Sequence, residues 1–430
     1  MRRIQTFIAM VLLASLFLIL FYSTLHLENA HGRMVERDDL LKEEEPLRSD
    51  PQDEIPVVDV GSSKQENITL PHPDVFRVSV SESLTQTIPQ NGAYWNRLLY
   101  SALKNVDNES RSKHEPPWPQ CRETSQEPLK TNIHDFNSYP ALFQDFLQGM
   151  NCRFPPVLID QPNKCTSSDA KGDSKTFLLF AIKSRPAHFE QRQAVRDTWG
   201  QEGLYQNNLR VRTVFLLGSS LPDDPDLTSL LSFEAKTFGD VLQWDFHDSF
   251  LNLTLKMNML LQWTLKNCPH VSFMFSGDDD VFVNTPALLS YLQSHEPSKA
   301  SQLYVGQVIN TASPLRNPSS KYYIPLSFYD GPYPAYVGGG GFVFSGVLLQ
   351  KLYGISHAIP FFPIDDVYNG MCFKALGISP EPHAGFQTFD VNEQDRENLC
   401  VHKSIILVHQ RSPQQMKKLW KGIHSPFLTC

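Results

Sequence analysis

From Thr176 onward, short apolar runs alternate with amphipathic stretches, and this alternation restricts the fold more than any other feature of the chain. The first run, Thr176 to Ile182, carries no charge, which is typical of a strand buried on both faces. Further strands are predicted at 211–217, 241–244 and 271–275, and helices at 191–200, 230–238 and 253–266. Alternating strands and helices favour an α/β fold with a mostly parallel central sheet covered on both faces.

The strand predicted at 271–275 leads into three adjacent carboxylates, Asp278, Asp279 and Asp280. Open α/β sheets bind ligands beyond the carboxyl ends of their strands, so this acidic loop lies where a ligand is expected. A hard divalent cation such as Mg²⁺ or Mn²⁺ relieves the repulsion among the carboxylates and shares its shell with substrate phosphates. A metal–diphosphate site is the functional interpretation, and a solvated acidic turn is the alternative. Thr285 is predicted to cap the helix that follows.

Cationic side chains follow the first predicted strand. Lys183 lies at its carboxyl end, and Arg192 and Arg196 lie four residues apart on one face of the next helix. Because a planar guanidinium group suits phosphate recognition, these residues are candidates for binding an anionic ligand. The alternative is a solvated basic face paired with Glu190 and Asp197.

Four consecutive glycines, from Gly338 to Gly341, precede a strand predicted at 342–344. Glycine loses the most backbone entropy on folding, a cost that is reasonable where a ligand must approach the main chain closely. Tyr333 and Tyr336 come just before the glycines and are candidates for facing sugar rings. A plain glycine-rich turn is the alternative.

Two carboxylates, Asp365 and Asp366, open a further predicted helix. Aspartate is favoured as a helix N-cap, and it also serves as a general base. The amino end of a helix lowers the pKa of a carboxyl group, whereas repulsion between the pair raises it. We therefore predict that one of the two caps the helix and the other acts as a base. His409 ends the last predicted strand, and a lone histidine is not by itself evidence of a metal site.

The first ninety residues differ from the rest in composition. Residues 7–27 are uncharged, mostly apolar and long enough to cross a bilayer, and Arg2 and Arg3 precede them. This pattern predicts a cytoplasmic tail at 1–6 and a retained type II anchor, rather than a cleaved signal peptide, with the remainder of the chain in the lumen. Residues 28–90 are acidic, polar and interrupted by prolines, which predicts a flexible stem. An accessory part at 91–172 and a catalytic domain at 173–430 are predicted to follow.

The sequons, the cysteines and the charge agree with a lumenal chain. Sequons occur at Asn67, Asn108 and Asn252. Seven cysteines without a C-x-x-C pair predict disulfides in an oxidising compartment, and their odd number allows a disulfide-linked homodimer. A formal net charge of −8 without a long basic run argues against nucleic acid as a partner.

Several motifs occur in a fixed order along the chain. They are Ala181-Ile-Lys-Ser184, Arg192-Gln-Ala-Val-Arg-Asp-Thr-Trp-Gly200, Val214-Phe-Leu-Leu-Gly218, Asp278-Asp-Asp-Val-Phe-Val283, Tyr336-Val-Gly-Gly-Gly-Gly341 and Pro363-Ile-Asp-Asp-Val-Tyr368. Together they resemble the β-1,3-glycosyltransferases of glycosyltransferase family 31. The segments Leu158–Cys165, Tyr322–Pro325 and Gly385–Asp390 resemble its β-1,3-N-acetylglucosaminyltransferase branch, and within that branch the resemblance is to the members that extend polylactosamine.

This resemblance implies a GT-A type fold, a Golgi location, UDP-N-acetylglucosamine as donor and a terminal β-galactose as acceptor. It implies Asp280 and His409 as ligands of Mn²⁺ or Mg²⁺, and Asp366 as the base that deprotonates the galactose 3-hydroxyl group. With the candidates above, the expected donor-binding residues are Lys183, Arg192, Arg196, Asp278, Asp279, Asp365, Gly339 and Gly340. The expected acceptor-binding residues are Tyr333, Tyr336, Gly338 and Gly341.

The implied reaction is a single displacement that inverts the α-linked donor to a β-linked product. Three alternatives remain at this stage. Within the family, the alternative is a β-1,3-galactosyltransferase, because donor choice rests on a few pocket residues. Outside it, a metal-dependent phosphodiesterase or a non-catalytic carbohydrate-binding membrane protein would also place carboxylates in a cleft.

Overall fold

The computed structural model describes residues 79–106, 118, 120–121, 126–166, 175–221 and 223–430. The predicted tail and anchor, most of the predicted stem, and the sequons at Asn67 and Asn108 lie outside these residues. Within the described ranges, no helix is long and apolar enough to span a membrane.

The strands predicted from 176 to 275 and the helices between them are present, together with several short strands that the sequence did not predict. The strands are β1 (Val157–Ile159), β2 (Thr176–Lys183), β3 (Gly203–Tyr205), β4 (Leu209–Ser219), β5 (Val241–His247), β6 (Phe273–Asp278), β7 (Phe282–Val283), β8 (Tyr304–Gly306), β9 (Val308–Ile309), β10 (Tyr336–Val337), β11 (Gly341–Ser345), β12 (Glu381–Pro382), β13 (Phe386–Gln387) and β14 (Leu407–Val408). The helices are α1 (Glu82–Thr87), α2 (Tyr94–Val106), α3 (Gln126–Asn132), α4 (Ala141–Gly149), α5 (Phe189–Asp197), α6 (Thr228–Phe238), α7 (Leu253–Asn267), α8 (Thr285–Gln293), α9 (Pro297–Ala300), α10 (Leu349–Ala358), α11 (Asp365–Ala375), α12 (Leu399–Ser404) and α13 (Pro413–Ile423).

The largest sheet is mixed rather than mostly parallel. Its strands lie in the order β1, β5, β4, β2, β6, β11, β8 and β12, and β3 also pairs with β4. The central strands β5, β4, β2 and β6 are parallel, as predicted. However, β11 runs antiparallel to both β6 and β8, so the prediction is wrong for this half. A strand buried on both faces is apolar whether it runs parallel or antiparallel to its neighbours. The sequence pattern therefore did not reveal the direction of β11.

The parallel strands bring their carboxyl ends to one edge of the sheet. In the register of the strands, Lys183 of β2 lies opposite Leu216 of β4 on one side and Asp278 of β6 on the other. On the far side of β6, Gly341 of β11 pairs with Gly277. The lysine, the acidic loop and the glycine run therefore meet at the same edge.

Two predicted helix ends are shifted by one to three residues. The N-cap of α8 is Asn284, whose side chain accepts a hydrogen bond from the amide of Ala287, and Thr285 is the first helical residue instead. Helix α5 ends at Asp197, before the predicted terminator Gly200. Asparagine and threonine are both favourable N-cap residues, so the sequence does not show which of the adjacent residues Asn284 and Thr285 caps the helix.

The N-terminal part shares the hydrophobic core of the sheet domain. Trp95 of α2 is 0% exposed, and its indole N–H donates to the carbonyl groups of Pro360 and Phe361. Leu84 and Ile88 are also buried in this core, although they lie in the predicted stem. The stem prediction is therefore wrong at its end, because the mean polarity of residues 79–90 hides these two apolar anchors. The described residues from 79 to 430 belong to one compact unit, and the division into an accessory part and a catalytic domain stays a prediction.

The cysteines form three disulfides. The pairs are Cys121–Cys152, Cys165–Cys268 and Cys400–Cys430. The remaining cysteine, Cys372, lies on α11 and is 3% exposed, so it cannot form an intermolecular disulfide while the chain is folded. The structure therefore does not support a homodimer linked through this residue.

Trp95→Ala is expected to lower the free energy of unfolding by about 3–5 kcal/mol, because it leaves a cavity in the shared core. The measurement is urea unfolding of the unit 67–430 with its disulfides intact. Phe427→Ala, at a side chain that is 89% exposed, is the control and is expected to change stability by less than about 0.5 kcal/mol. Equal stability of the two variants would contradict a shared core.

Candidate active site

A cavity of about 790 Å³ opens at the edge where the parallel strands end. Its volume is in the range of small-molecule sites. It brings together most of the predicted site residues, which are Lys183, Asp278, Asp279, Asp280, Tyr333, Tyr336, Gly338, Gly339, Gly340, Asp365, Asp366 and His409. Three predicted residues, Arg192, Arg196 and Gly341, do not line it.

The predicted metal ligands, Asp280 and His409, lie together at one side of this cavity, and Asp278, predicted to bind the donor, joins them. Asp278, Asp280 and His409 each offer a ligand atom, and these atoms lie within 4.8 Å of one another. The imidazole Nε2 of His409 is 3.0 Å from Asp280 Oδ1 and 3.7 Å from Asp278 Oδ2. The pairing of β7 with β14 explains this meeting, because β7 follows the acidic loop and β14 immediately precedes His409. Residues 129 positions apart in the chain thus become neighbours.

The three groups perturb one another electrostatically. Burial raises the pKa of Asp278, and the charge of Lys183 offsets this only in part. Burial also acts to raise the pKa of Asp280, but the hydrogen bond and charge of His409 outweigh it and lower that pKa. For His409, burial acts to lower the pKa, yet the carboxylates of Asp280 and Asp278 raise it. A positive charge is therefore favoured between these carboxylates.

The donor set fits a divalent cation. The Nδ1 atom of His409 lies 3.0 Å from the carbonyl oxygen of Thr388, an acceptor, so Nδ1 carries a hydrogen and Nε2 is the atom directed at the carboxylates. Histidine ligands commonly donate their other N–H to a backbone carbonyl in this way. Two carboxylates and one imidazole suit Mn²⁺ or Mg²⁺.

Asp279 is held differently from its two neighbours. Its Oδ2 accepts a hydrogen bond from the hydroxyl group of Ser184 at 2.6 Å and lies 2.9 Å from Nδ1 of His188. Asp279 is buried, whereas Asp280 is partly exposed. Its contact with a donor substrate stays a prediction.

Lys183 joins the acidic loop to the start of α11. Its Nζ atom lies 2.9 Å from Asp365 Oδ2, 3.1 Å from Asp278 Oδ1 and 3.3 Å from the carbonyl oxygen of Gly339. The side chain is buried, and burial acts to lower its pKa, but the surrounding carboxylates raise the pKa overall. An ammonium group has three N–H donors, and each has a protein acceptor here. Lys183 therefore neutralises the protein carboxylates first, and its predicted contact with a donor stays untested.

Asp366 faces the glycine run. The amide of Gly339 donates to Asp366 Oδ2 at 3.0 Å. A Cβ atom at position 339 would lie 2.1 Å from Asp366 Oδ1, so this close approach requires glycine. Burial raises the pKa of Asp366 well above its usual value, and the charge of Asp365 adds to the effect. The pKa of Asp366 is therefore raised overall, although the amino end of a helix acts to lower the pKa of a carboxyl group.

Neither aspartate caps α11, so the prediction that one of them does is wrong. The N-cap position is Ile364, which has no capping side chain. Asp365 instead pairs with Lys183 through the long-range contact described above. Aspartate at a helix start looks the same in sequence whether it caps the helix or binds a distant cation.

The predicted acceptor residues divide into two groups. Tyr333, Tyr336 and Gly338 line the cavity, and burial followed by the charge of Asp366 raises the pKa of Tyr336, which lies near that carboxylate. Gly341 belongs to β11 instead, where a Cβ atom would lie 2.3 Å from Leu407 Cδ1. Its small size serves packing, so its prediction as an acceptor residue is wrong.

Arg192 and Arg196 are buried in ion pairs rather than directed at a ligand. Arg192 is 0% exposed and pairs with Glu234, while Arg196 pairs with both Glu234 and Asp240. The donor-binding prediction is wrong for both residues. The alternative, a solvated face paired with nearby acids, is also wrong, because the partners lie on α6 and just before β5, more than 35 residues away.

The cavity also contains residues that sequence reasoning missed. Ser184, His188, Asp248 and Lys256 all line it. Asp248 follows the end of β5, so the rule that ligands bind beyond the carboxyl ends of strands was a usable signal. Lys256 is a single charge in an apolar stretch of α7, which indicates a buried ion pair or a site.

The sequon at Asn252 lies beside this region. Asn252 is 8% exposed, and its side-chain nitrogen donates to the carbonyl oxygen of His247 at 3.0 Å. This burial disfavours glycosylation of Asn252 in the folded chain. Glycosylation at this sequon stays a prediction.

Comparison with known proteins identifies the family. Residues 190–384 match the family model described as Galactosyltransferase. N-acetyllactosaminide beta-1,3-N-acetylglucosaminyltransferase 2 of Mus musculus is 44% identical over 351 residues, which cover 79% of this chain and 86% of that protein. The Homo sapiens protein of the same name is 48% identical over 69% of this chain and 74% of its own length. UDP-GlcNAc:betaGal beta-1,3-N-acetylglucosaminyltransferase 8 of Mus musculus is 39% identical, covering 82% of this chain and 86% of that protein.

Lys183→Met is expected to lower the free energy of unfolding by about 3–5 kcal/mol near pH 7.5 in metal-free buffer, because it leaves buried carboxylates without their cation. Burial raises the pKa of Asp278 even beside Lys183, so without this cation folding takes up a proton there and the loss becomes smaller as the pH falls toward about 5. Urea unfolding at both pH values measures the effect.

Lys164→Met is the matched control, because Lys164 is also a buried lysine and pairs with one carboxylate, Glu202, away from the cavity. Its loss of stability is expected to depend less on pH. If Lys183→Met cost the same free energy at both pH values, the carboxylate cluster would not be what Lys183 stabilises.

Proposed function

The chain belongs to the β-1,3-N-acetylglucosaminyltransferases of glycosyltransferase family 31, and from this membership we propose that it transfers N-acetylglucosamine from UDP-N-acetylglucosamine to the 3-hydroxyl group of a terminal β-galactose, extending polylactosamine. One observation carries the proposal. The carboxylate–imidazole set of Asp280 and His409 and the carboxylate of Asp366 line the same cavity. A donor bound at Asp280 and His409 would therefore lie in the same cavity as Asp366, the proposed base.

The chain is proposed to have the GT-A type arrangement. Support comes from the parallel strands β5, β4, β2 and β6, whose carboxyl ends meet at the cavity. The donor nucleotide is assigned to this half, as open α/β sheets place their ligands there. The acceptor is assigned to the side with Tyr333, Tyr336 and Gly338.

Asp280 and His409 are proposed to hold Mn²⁺ or Mg²⁺, with Asp278 beside them. When bound, the cation supplies positive charge that neutralises the diphosphate of the donor and favours the departure of UDP. The hydrogen bond from His409 to the carbonyl group of Thr388 fixes the orientation of the ring. Lys183 holds Asp278 and Asp365 in place at the cavity wall.

Asp366 is proposed to act as the general base. Its Oδ2 accepts the amide hydrogen of Gly339, which orients the carboxylate at the cavity wall. Asp366 removes the proton of the galactose 3-hydroxyl group as that oxygen forms a bond to the anomeric carbon of the donor sugar. The bond from this carbon to the diphosphate oxygen breaks on the opposite face. One displacement thus converts the α-linked donor into a β-linked product.

The aromatic side chains near the base are proposed to contact the acceptor. Tyr336 lies close enough to Asp366 for the carboxylate to raise its pKa, in addition to the larger effect of burial. Tyr333 packs edge-on against Tyr336, with ring centroids 6.4 Å apart. Galactose presents an apolar face on one side of its ring, which suits packing against tyrosine.

The chain is proposed to be a type II membrane protein of the Golgi apparatus. Support comes from the apolar residues 7–27 and from the arginines that precede them. The three disulfides are consistent with an oxidising lumen.

The direct test is a transfer assay with purified protein, several UDP-sugars and acceptors ending in β-galactose. Transfer is expected from UDP-N-acetylglucosamine onto a lactosamine acceptor, with a β-1,3 linkage seen by NMR, and it is expected to stop when divalent cations are chelated. An acceptor ending in N-acetylglucosamine is the control and is expected to remain unmodified. Transfer of galactose instead would establish the β-1,3-galactosyltransferase alternative.

Asp366→Asn is expected to lower kcat by about 10²–10⁴-fold, because an amide cannot accept the proton. Since the pKa of Asp366 is raised, kcat/KM of the unsubstituted protein should increase with pH through a range above that of an ordinary carboxyl group. This acidic limb should be absent from the residual activity of the variant. Asp223→Asn, at an exposed aspartate, is the control for the substitution itself. Full activity of Asp366→Asn would rule out the base.

A further inference from the structure

One buried ion pair reaches the loop after β2 from α5. The guanidinium group of Arg192 pairs with Glu234, with Nε 2.8 Å from Oε1 and Nη2 2.7 Å from Oε2. Its other N–H groups donate to the carbonyl oxygens of Arg185 at 2.6 Å and Pro186 at 3.1 Å, and to Ser184 Oγ at 3.1 Å. Because the guanidinium plane is rigid and satisfied on all sides, it holds this loop in one position.

A second buried ion pair reaches the same loop from α7. The Nζ atom of Lys256 lies 2.8 and 2.9 Å from the two carboxylate oxygens of Asp248, and it donates to the carbonyl oxygen of Ser184 at 2.8 Å. Asp248 also accepts the amide hydrogen of Gly218 at 2.8 Å. Lys256 therefore links the ends of β2, β4 and β5 at Ser184.

Ser184 connects both pairs to the acidic loop. Its hydroxyl oxygen accepts a hydrogen bond from Arg192, so the hydroxyl hydrogen is directed at Asp279 Oδ2, 2.6 Å away. Ser184 and Asp279 are both buried, and a buried carboxylate requires donors of this kind. Asp279 lies in the chain between the two carboxylates that face the imidazole of His409.

We propose that Ser184 is a positioning residue for the cation site. Its hydroxyl group fixes Asp279 together with the imidazole of His188, and the fixed Asp279 holds Asp278 and Asp280 in the orientation that binds a divalent cation. This inference rests on the proposed function, because it takes Asp280 and His409 as the cation ligands. Ser184 itself contacts neither the cation nor the substrate in this assignment.

The expected size of the effect follows from metal sites in general. Loss of a hydrogen-bonding partner behind the ligands typically weakens metal affinity about 10–100-fold. Ser184→Ala removes only the hydroxyl group, and it leaves Arg192 paired with Glu234 and Lys256 paired with Asp248. The scaffold is therefore expected to remain, while the acidic loop gains freedom.

The test measures Mn²⁺ binding directly, by electron paramagnetic resonance of free Mn²⁺ in the presence of UDP, on the whole chain. The dissociation constant of Mn²⁺ is expected to rise about 10–100-fold in Ser184→Ala. Ser184→Thr keeps a hydroxyl group and is expected to restore most of the affinity. An unchanged dissociation constant in Ser184→Ala, with normal binding by the unsubstituted chain, would overturn the inference alone. Absence of Mn²⁺ binding by the unsubstituted chain would overturn the cation site and this inference with it.

Ser356→Ala is the matched control. Ser356 is also buried, and its hydroxyl group lies 2.8 Å from the carbonyl oxygen of Tyr353, outside the cavity. Ser356→Ala is expected to lower the stability of the protein, because it removes a buried hydroxyl group. It is expected to leave the Mn²⁺ dissociation constant unchanged. Equal weakening of Mn²⁺ binding in both serine variants would show a general structural effect and overturn the inference.

A second pair of variants tests the same hydrogen bond from its other partner, including the case in which Ser184→Ala does not fold. Asp279→Asn keeps an acceptor oxygen for Ser184 and is expected to retain most of the Mn²⁺ affinity, whereas Asp279→Ala is expected to lose it. If Ser184→Ala folds, the double variant with Ser184→Ala and Asp279→Ala should bind Mn²⁺ no more weakly than Asp279→Ala alone. Equal affinity of Asp279→Asn and Asp279→Ala, or additive losses, would overturn the inference.

Discussion

Repulsion among carboxylates collected at one edge of the sheet is the constraint on which the site depends. Asp278 and Asp280 come from the end of β6, and Asp365 and Asp366 from the start of α11. Lys183 bridges the two groups, with its ammonium 3.1 Å from Asp278 and 2.9 Å from Asp365. This arrangement leaves Asp366 without a direct cation, and burial raises its pKa, which suits the role of base proposed for it.

The electrostatic arrangement opposes stability and supports catalysis. Raised pKa values at Asp278 and Asp366 mean that their charged forms are disfavoured in the folded chain. The surrounding structure offsets this cost through the extensive hydrophobic core, which α1 and α2 help to complete. The glycine run contributes in another way, since its main chain reaches the carboxylate of Asp366 and the ring of His409 without a side chain between them. A residue larger than glycine at position 339 or 340 would separate the parts of the site.

The predictions that failed share a physical cause. Arginine on a helix near a strand end has the same local sequence whether it binds phosphate or a buried glutamate, and the partner Glu234 is distant in the chain. Likewise, Asp365 has the local sequence of a helix cap, but its position in space gives it Lys183 as a partner. The direction of β11 was missed because burial on both faces, and not strand direction, determines composition.

Sequence alone predicted the main strands and helices of the sheet domain, and most of the site residues that it predicted line the cavity. Hydrophobic periodicity is a local property, so it predicted β2, β4, β5 and β6 and the helices between them, but not the short strands β3 and β7. The roles expected for Asp280, Asp366 and His409 came from the family resemblance. Tertiary structure decided which charges meet. Only the pairing of β7 with β14 brings His409 to Asp280, and only the convergence of α5, α7 and β6 places Ser184 between two buried ion pairs and the acidic loop. Electrostatic interactions depend on distance in space, and no local pattern in the chain encodes that distance.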